Sequence, residues 1–466
     1  MNGSFLWRCS VALLVGLAMA APAQAGKRKP FKVAITATPA AGAPDSTSAG
    51  FSTVSDTIDY LDPNTLRSRF QTIDTDQVRV VLDFRGLAGL QLNFETNRGA
   101  LTLIVPQFGF SRTFGSPTAV CANEFECAAN RKDALDQLRN FLESDPVFLK
   151  RLLTALARYS PIDPLAGNPD SLFSRSMRAD FQQGFTHKVS QIWGCNTTAF
   201  NSTYGGPIQV AAIGDVGDIF ADAQARAAAL QAQNEIGFGL MYSSTTAESA
   251  GGDYATTAYA VPLSYTIKFD SDPRKKFRID LPLGYSDTEG AATYSLGLGF
   301  AYTHPLSDVW TLTPAIGAGA TGSDDLGSAG GVASYSLTSA YTWRLGGFAL
   351  SMGNAIGKYD ALALKIGDVE AEADISNTVI TNGLLLTGPN SLIARNMILE
   401  YSITDTRITG DDVYADTYDE LGVALGYVRS SMGVIDSYSK VGLSYLVGTG
   451  DFDDISSLRL NLAVRF

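Results

Sequence analysis

Apolar and polar positions alternate with a period of two from Asn234 to the end of the chain. This period is typical of β-strands, in which successive side chains point to opposite faces of the sheet. Twelve such runs follow one another, among them Tyr259–Phe269 and Tyr294–Tyr302, and the last is Leu458–Phe466. The pattern predicts twelve antiparallel strands over residues 234–466.

The face opposite the apolar series carries small, polar and charged residues, whereas a sandwich in water would turn its polar face outward. A barrel in a membrane has this inverted arrangement, with apolar side chains toward lipid and polar ones toward the lumen. Aromatic residues near the ends of the runs, such as Tyr285 and Trp343, fit interfacial girdles. We therefore predict a transmembrane β-barrel with these charged lumen-lining positions: Lys268, Arg278, Asp280, Arg344, Glu400, Lys440, Arg459 and Arg465.

The connections between the predicted strands alternate in length and differ in charge. The short connections hold 4 acidic and 4 basic residues, and the longer ones hold 20 acidic and 3 basic residues. Transmembrane barrels place short turns in the periplasm and longer loops outside. The sequence therefore predicts an acidic outer rim and a periplasmic C-terminus. The counts cover residues 270–276, 304–308, 344–347, 387–391 and 430–436 for the short set, and 243–253, 286–290, 321–330, 358–376, 404–420 and 449–455 for the longer set.

Residues 1–25 are typical of a cleaved secretory signal, with Arg8, an apolar stretch and the small-residue motif Ala23-Gln24-Ala25. Removing this segment and its one arginine leaves 34 basic and 47 acidic residues, a net charge of −13. Such a charge argues against nucleic acid as a partner. We expect the bacterial outer membrane as the location, and its lipid and the barrel-assembly machinery as partners.

The region before the barrel is predicted to have two parts. Residues 26–60 are rich in Ala, Pro, Ser and Thr and are predicted to be flexible. Residues 61–214 are predicted to form an α+β domain, with short strands followed by three helices. The third helix carries an apolar stripe, which we interpret as part of the core of that domain; its members are Phe173, Met177, Phe181, Phe185 and Val189.

A further helix is predicted over residues 215–233, where alanines alternate with polar residues such as Arg226 and Gln231. Its apolar face is thin, so it suits a narrow polar space. We predict that it plugs the barrel lumen, with a periplasmic linker helix as the alternative.

An Ala-rich helix followed by twelve strands resembles the translocator domain of autotransporters. The resemblance covers about residues 215–466 and includes the C-terminal signature Leu462, Val464 and Phe466. In that family the helix occupies the lumen, and the resemblance implies recognition of the C-terminal strand during barrel assembly. Residues 26–214 lack the repeats of many secreted passengers.

The mature chain would keep Cys121, Cys127 and Cys195. Export to an oxidising compartment predicts one disulfide among them, and the sequence leaves the pairing open. No catalytic or nucleotide-binding motif occurs in a fitting context, and the acidic loops are interpreted as solvated. We therefore expect no enzyme activity, no cofactor and no metal.

Two functions remain from this reasoning. In the first, the barrel anchors or translocates its N-terminal domain, which binds an unidentified ligand at the cell surface. In the second, the barrel is a small channel that the N-terminal domain and the helix gate. The location of residues 26–214, in the periplasm or at the surface, separates the two.

Overall fold

The computed structural model describes residues 28–465, apart from 71–72, 74–75, 95–98, 117, 119, 186–233, 249–251, 308, 346–347, 367–368, 390–396, 430–436 and 451–453. Within these residues, no helix combines the length and the apolar character that crossing a membrane requires.

Residues 28–159 form an α+β domain, here called the N-terminal domain. Its antiparallel sheet has the strand order β2-β1-β3-β4-β5-β6. The strands are β1 (Phe31–Thr38), β2 (Asp45–Phe51), β3 (Gln77–Phe84), β4 (Leu87–Phe94), β5 (Leu101–Val105) and β6 (Phe110–Phe114), and the helices are α1 (Val54–Leu61), α2 (Pro63–Arg69), α3 (Glu124–Ser144) and α4 (Pro146–Tyr159).

Alternation along the strands builds the core of this domain. Val33, Ile35 and Ala37 of β1 are buried and pack with Val80 of β3 and Leu156 of α4. The Asp145 side chain caps α4 by accepting a hydrogen bond from the Phe148 N–H at 2.9 Å, and Pro146 opens the helix.

The segment predicted to be flexible instead contributes β1 and β2 to the sheet. Every residue from Phe31 to Thr38 pairs with β3. Small residues and threonines lower the apolar content of this stretch, yet the alternating Phe31, Val33 and Ile35 suffice to anchor it. The prediction from composition therefore missed β1, although the alternation of its apolar residues indicates a strand.

The predicted twelve-stranded barrel is confirmed. Its strands are antiparallel throughout, and β20 pairs with β7 to close it. The barrel strands are β7 (Glu235–Ala247), β8 (Tyr254–Phe269), β9 (Asp272–Thr288), β10 (Ala291–Pro305), β11 (Trp310–Ser323), β12 (Ser328–Leu345), β13 (Phe348–Leu362), β16 (Ser376–Pro389), β17 (Met397–Gly410), β18 (Thr417–Arg429), β19 (Ser437–Thr449) and β20 (Ile455–Arg465), and a small hairpin, β14 (Leu364–Ile366) and β15 (Val369–Ala371), lies between β13 and β16.

The barrel is apolar outside and polar inside. Leu296, Ile316 and Tyr335 point outward and are 51%, 59% and 58% exposed. Thr338, which lies on the same strand as Tyr335 but points inward, is only 1% exposed. The period of two thus separates a lipid-type exterior from a filled interior.

The two ends of the barrel differ. The termini rim is the end at which β7 begins and β20 ends. The loop rim is the opposite end, with the connections 248–253, 289–290, 324–327, 363–375, 411–416 and 450–454. The N-terminal domain contacts the loop rim, and a fifth helix, α5 (Leu172–Gly184), continues from it into the barrel.

Candidate functional site

Helix α5 lies inside the barrel lumen. It contacts the inner faces of β10, β11, β12 and β13. Just before its first turn, Asp170 accepts hydrogen bonds from Ser243 at 2.8 Å and Thr245 at 2.6 Å, near the loop-rim end of β7. Phe185, at its last turn, packs beside Gly353 of β13. The helix therefore enters from the loop rim and points toward the termini rim.

Glycines of the wall make room for the large side chains of α5. A Cβ at Gly353 would come within 2.4 Å of the Phe185 ring, and one at Gly383 within 2.8 Å of the Phe181 ring. A Cβ at Gly319 would meet Leu172 at 2.8 Å. Real Cβ atoms do not approach this closely, so a side chain at any of these positions would force the facing side chain of α5 to move.

The apolar stripe predicted for the domain core is therefore buried elsewhere. Phe173 packs against Tyr359 of β13, with ring centroids 5.5 Å apart. Phe181 and Phe185 cluster with Ala340 and Leu385 of the wall. The interpretation of this helix as part of the α+β core was wrong, because helical spacing shows that a face is buried without showing what covers it.

Charged side chains of α5 also pair with the wall. The guanidinium of Arg178 lies 3.7 Å from Glu420, and that of Arg459 lies 3.3 Å from the same carboxylate. Arg459 also donates to the Pro169 carbonyl at 3.3 Å. Ser444 donates to Glu420 at 2.5 Å. A half-buried carboxylate shared by two guanidiniums ties α5 to strands β18 and β20.

A second acidic contact holds the middle of the helix. Asp180 is 4% exposed and accepts a hydrogen bond from the Tyr359 hydroxyl at 3.0 Å. Arg175, one turn and a half earlier, donates to Ser295 at 2.9 Å. Polar side chains on several strands thus fix the rotation of the helix as well as its depth.

The entry segment, residues 160–171, links the N-terminal domain to α5 and is buried throughout. Arg85 and Asp163 form an ion pair at 2.5 Å, and both side chains are at most 3% exposed. Asp163 also accepts the N–H groups of Leu165 and Ala166 at 3.1 Å. Burial lowers the pKa of Arg85 and raises the pKa of Asp163, while the ion pair opposes both shifts.

A tight turn shapes this segment. A Cβ at Gly167 would lie 2.4 Å from both the Ser160 carbonyl oxygen and the Asp163 nitrogen. Only glycine allows this approach of backbone to backbone. The turn redirects the chain from α4 into the mouth of the barrel.

Among the residues that the structure describes, the N-terminal domain contacts five of the six loop-rim connections. Its basic residues meet acidic loops: Lys150 lies 2.9 Å from Glu372 and Arg158 lies 2.7 Å from Asp412. The hydrogen bond to Glu372 raises the pKa of Lys150. The other contacts are Arg28 N–H to the Asp253 carbonyl, Ser52 to the Glu289 carbonyl, Val54 N–H to the Asp325 carbonyl and Tyr414 N–H to the Ala157 carbonyl.

An apolar cluster seals the same interface. Phe31 of the domain and Ile162 of the entry segment pack with Tyr254, Ala291 and Leu326 of the rim, and all five are buried. The acidic loops, interpreted from the sequence as solvated, thus include docking positions for cations of the domain.

The predicted lumen-lining residues fall into three groups. Arg459 contacts both the entry segment and Glu420, as described. Five others take part in three ion pairs along the wall: Lys268 with Glu235 at 2.6 Å, Arg278 with Asp280 at 2.6 Å, and Lys440 with Glu400. Arg344 lies in β12 and Arg465 in β20, and their side chains lie outside the described part of the structure.

The remaining predicted site residues can also be placed. Cys121 and Cys127 form a disulfide beside the start of α3, whereas Cys195 and the helix predicted over residues 215–233 lie outside the described residues. Leu462 faces Leu240 and Val441, and Val464 lies in β20 opposite Phe238; Phe466 is not among the described residues. No metal-ligating cluster of three or more side chains occurs among the described residues.

Sequence reasoning missed Arg178, Asp180, Glu420 and Asp170. These residues looked like ordinary polar positions, because a helix in a domain core and a helix in a lumen share the same amphipathic pattern. The inner-face position of Glu420 at the end of a strand was the available signal, since an inward carboxylate needs a partner.

Comparison with known proteins returns solved structures only. No protein-family model matches the chain, and neither does any curated protein. The similar structures include the translocator domain of the autotransporter NalP from Neisseria meningitidis, at 17% identity and a TM-score of 0.35, covering 53% of this chain and 96% of that one.

Two further structures have a similar degree of likeness. The β domain of the Bordetella autotransporter BrkA has 14% identity and a TM-score of 0.36, covering 50% of this chain and 98% of that one. An outer membrane channel from Pseudomonas putida F1 has 13% identity and a TM-score of 0.33, covering 50% and 94%. The sequence predicted a resemblance to autotransporter translocators, and two of these three structures are such domains. All identities are below 25% and all TM-scores below 0.5, so the architecture is taken from the closed barrel itself.

Proposed function

We propose that this protein is an outer-membrane β-barrel that anchors its N-terminal domain at the cell surface. The observation that carries the proposal is the position of that domain on the loop rim, opposite the end at which β7 begins and β20 ends. Barrels of this type place their termini in the periplasm. A domain on the opposite rim then faces outward.

The arrangement of the chain in the lumen supports the same orientation of the N-terminal domain. Helix α5 descends from the loop rim, and Asn234 precedes β7 at the termini rim. The described chain therefore runs from the outer domain into the barrel as far as Phe185 and resumes with Asn234 at the termini rim. This path suits an anchored domain that crosses the membrane inside its own barrel, which is the role implied by the autotransporter resemblance.

The filled lumen weighs against the channel alternative. Phe181 and Phe185 occupy the space beside Gly353 and Gly383, and Arg178 spans toward Glu420. A twelve-stranded barrel has room for a helix or a narrow channel, not both at full width. The anchored domain is therefore the function favoured here, and its ligand stays unassigned.

Epitope accessibility on intact cells tests the proposal. A short tag inserted between Ala41 and Gly42, in the exposed turn joining β1 to β2, should bind antibody and be removed by added protease. A matched tag after Ser307, in a termini-rim turn, should react only after permeabilisation. Protection of the first tag in intact cells, with reactivity of the second, would overturn the proposed orientation.

A further inference from the structure

One pair of side chains interrupts the apolar exterior of the barrel. Asn354 of β13 and Asn382 of β16 lie directly opposite each other. The Asn354 amide donates to the Asn382 carbonyl oxygen at 2.7 Å, and both residues are exposed.

The pair lies within the apolar band, since lipid-facing side chains flank it on both sides. Toward the loop rim, Ile356 and Ile380 face each other and are 53% and 42% exposed. Toward the termini rim, Met352 faces Leu384, which is 43% exposed. The two amides are therefore placed where lipid tails would surround them.

One hydrogen bond leaves most of the capacity of the two amides unused. Each asparagine side chain offers two N–H donors and a carbonyl with two acceptor positions. Hydrocarbon offers no partner for the rest, and an unsatisfied polar group there costs free energy. A protein surface that supplies donors and acceptors at the same depth would remove this cost.

Polar positions continue from the pair toward the loop rim. Asn382 lies opposite Asp405 of β17, which lies opposite Asp419 of β18. Arg407 lies 2.6 Å from Asp405 and 3.9 Å from Asp419. This row, Asn354, Asn382, Asp405 and Asp419 with Arg407, borders an apolar groove lined by Leu350, Leu384, Leu386, Tyr401, Ile403 and Leu421.

We propose that two copies of the chain associate in the membrane through this face of β13, β16, β17 and β18. A two-fold axis along the membrane normal keeps every residue at its own depth, so an axis that passes between Asn354 and Asn382 sets this pair against the same pair of the second copy. Amides are both donors and acceptors, so the pair is self-complementary, and the apolar side chains on either side of it continue the contact. A purely apolar surface or a partner of one charge would not match it.

Cross-linking in membranes tests this interface, which rests on the membrane location in the proposed function. Leu384→Cys, which flanks the pair on β16 and leaves both amides in place, should give a dimer band with a short bismaleimide in a Cys195→Ser background. Leu281→Cys, an exposed outward position on β9, is the matched control and should stay monomeric. Equal dimer from both positions, no dimer from position 384, or a product only with another protein would each overturn the proposal.

A second variant tests whether the amides themselves stabilise the dimer or only lie near its interface. Asn354→Leu with Asn382→Leu keeps the branched shape of the side chains while removing the amides, and should raise the dimer dissociation constant roughly tenfold or more in detergent or liposomes. Unchanged dimerisation would contradict the role of the amides. Heat-modifiable gel mobility and membrane fractionation are followed throughout; loss of membrane fractionation in the unmodified chain would refute the proposed location instead.

Discussion

Individual residues of the lumen wall are matched to individual residues of α5. Glycine stands where a ring of the helix touches the strand backbone, as at Gly353 beside Phe185. A side chain at such a position and the ring cannot occupy the same volume, because the packed interior has no spare space.

Gly353→Val should therefore destabilise the protein by about 1–3 kcal/mol, the usual cost of overpacking. Adding Phe185→Ala, which removes the clashing ring, should make the double variant more stable than the sum of the two single losses predicts. Urea unfolding in micelles measures both. Strictly additive losses would show that the two residues do not touch.

The buried ion pair of the entry segment gives a second residue-level expectation. Asp163→Asn leaves the Arg85 guanidinium buried without its counter-charge, which costs about 3–5 kcal/mol. Replacing both residues, by Arg85→Met with Asp163→Leu, should cost less than Asp163→Asn alone. Thermal unfolding of the purified protein measures which variant is less stable. A double variant less stable than Asp163→Asn would contradict the burial of the pair.

At the scale of elements, α5 combines an apolar stripe and a charged side within one lumen. Its Phe side chains pack on β13 and β16, and Arg178 reaches the carboxylate of β18. The helix is held by several strands at once, so it is expected to close the barrel firmly.

Replacing residues 172–185 by an equally long Gly-Ser segment should raise single-channel conductance in planar bilayers severalfold over the unmodified protein. Lumen volume now filled by the helix would become available to ions. Heat-modifiable mobility controls for barrel assembly. Unchanged conductance in an assembled barrel would contradict closure by α5.

The closing strand provides a separate element-level test of the barrel register. Leu462→Lys would place a charge on the lipid-facing series, at a cost of roughly 2–4 kcal/mol near the middle of the bilayer. Ala463→Lys changes the inner face and should assemble better. Equal loss of heat-modifiable barrel in the two variants would contradict the alternation of β20.

For the whole molecule, the sequence predicted the barrel well because its strands alternate strictly and repeat twelve times. The strands β1 and β2 escaped prediction because composition outweighed the alternation of β1, and β2 has few apolar residues to alternate. The occupant of the lumen also escaped it, because the Phe173 to Phe185 stripe is equally compatible with a domain core. Contacts between residues distant in sequence distinguish the two places, such as Arg178 with Glu420 and Asp170 with Ser243 and Thr245.

The entry of the chain through the loop rim is the central claim, and disulfide trapping tests it most directly. A Cβ at Gly330, in β12 near the loop rim, would lie 3.5 Å from the Leu165 Cβ, within the range that a disulfide spans. With Leu165→Cys and Gly330→Cys in a Cys195→Ser background, peptide mass spectrometry of the oxidised protein should find the 165–330 cross-link. Leu165→Cys with Ser351→Cys, near the termini rim, should not cross-link. A 165–351 cross-link without the 165–330 one would contradict entry from the loop rim.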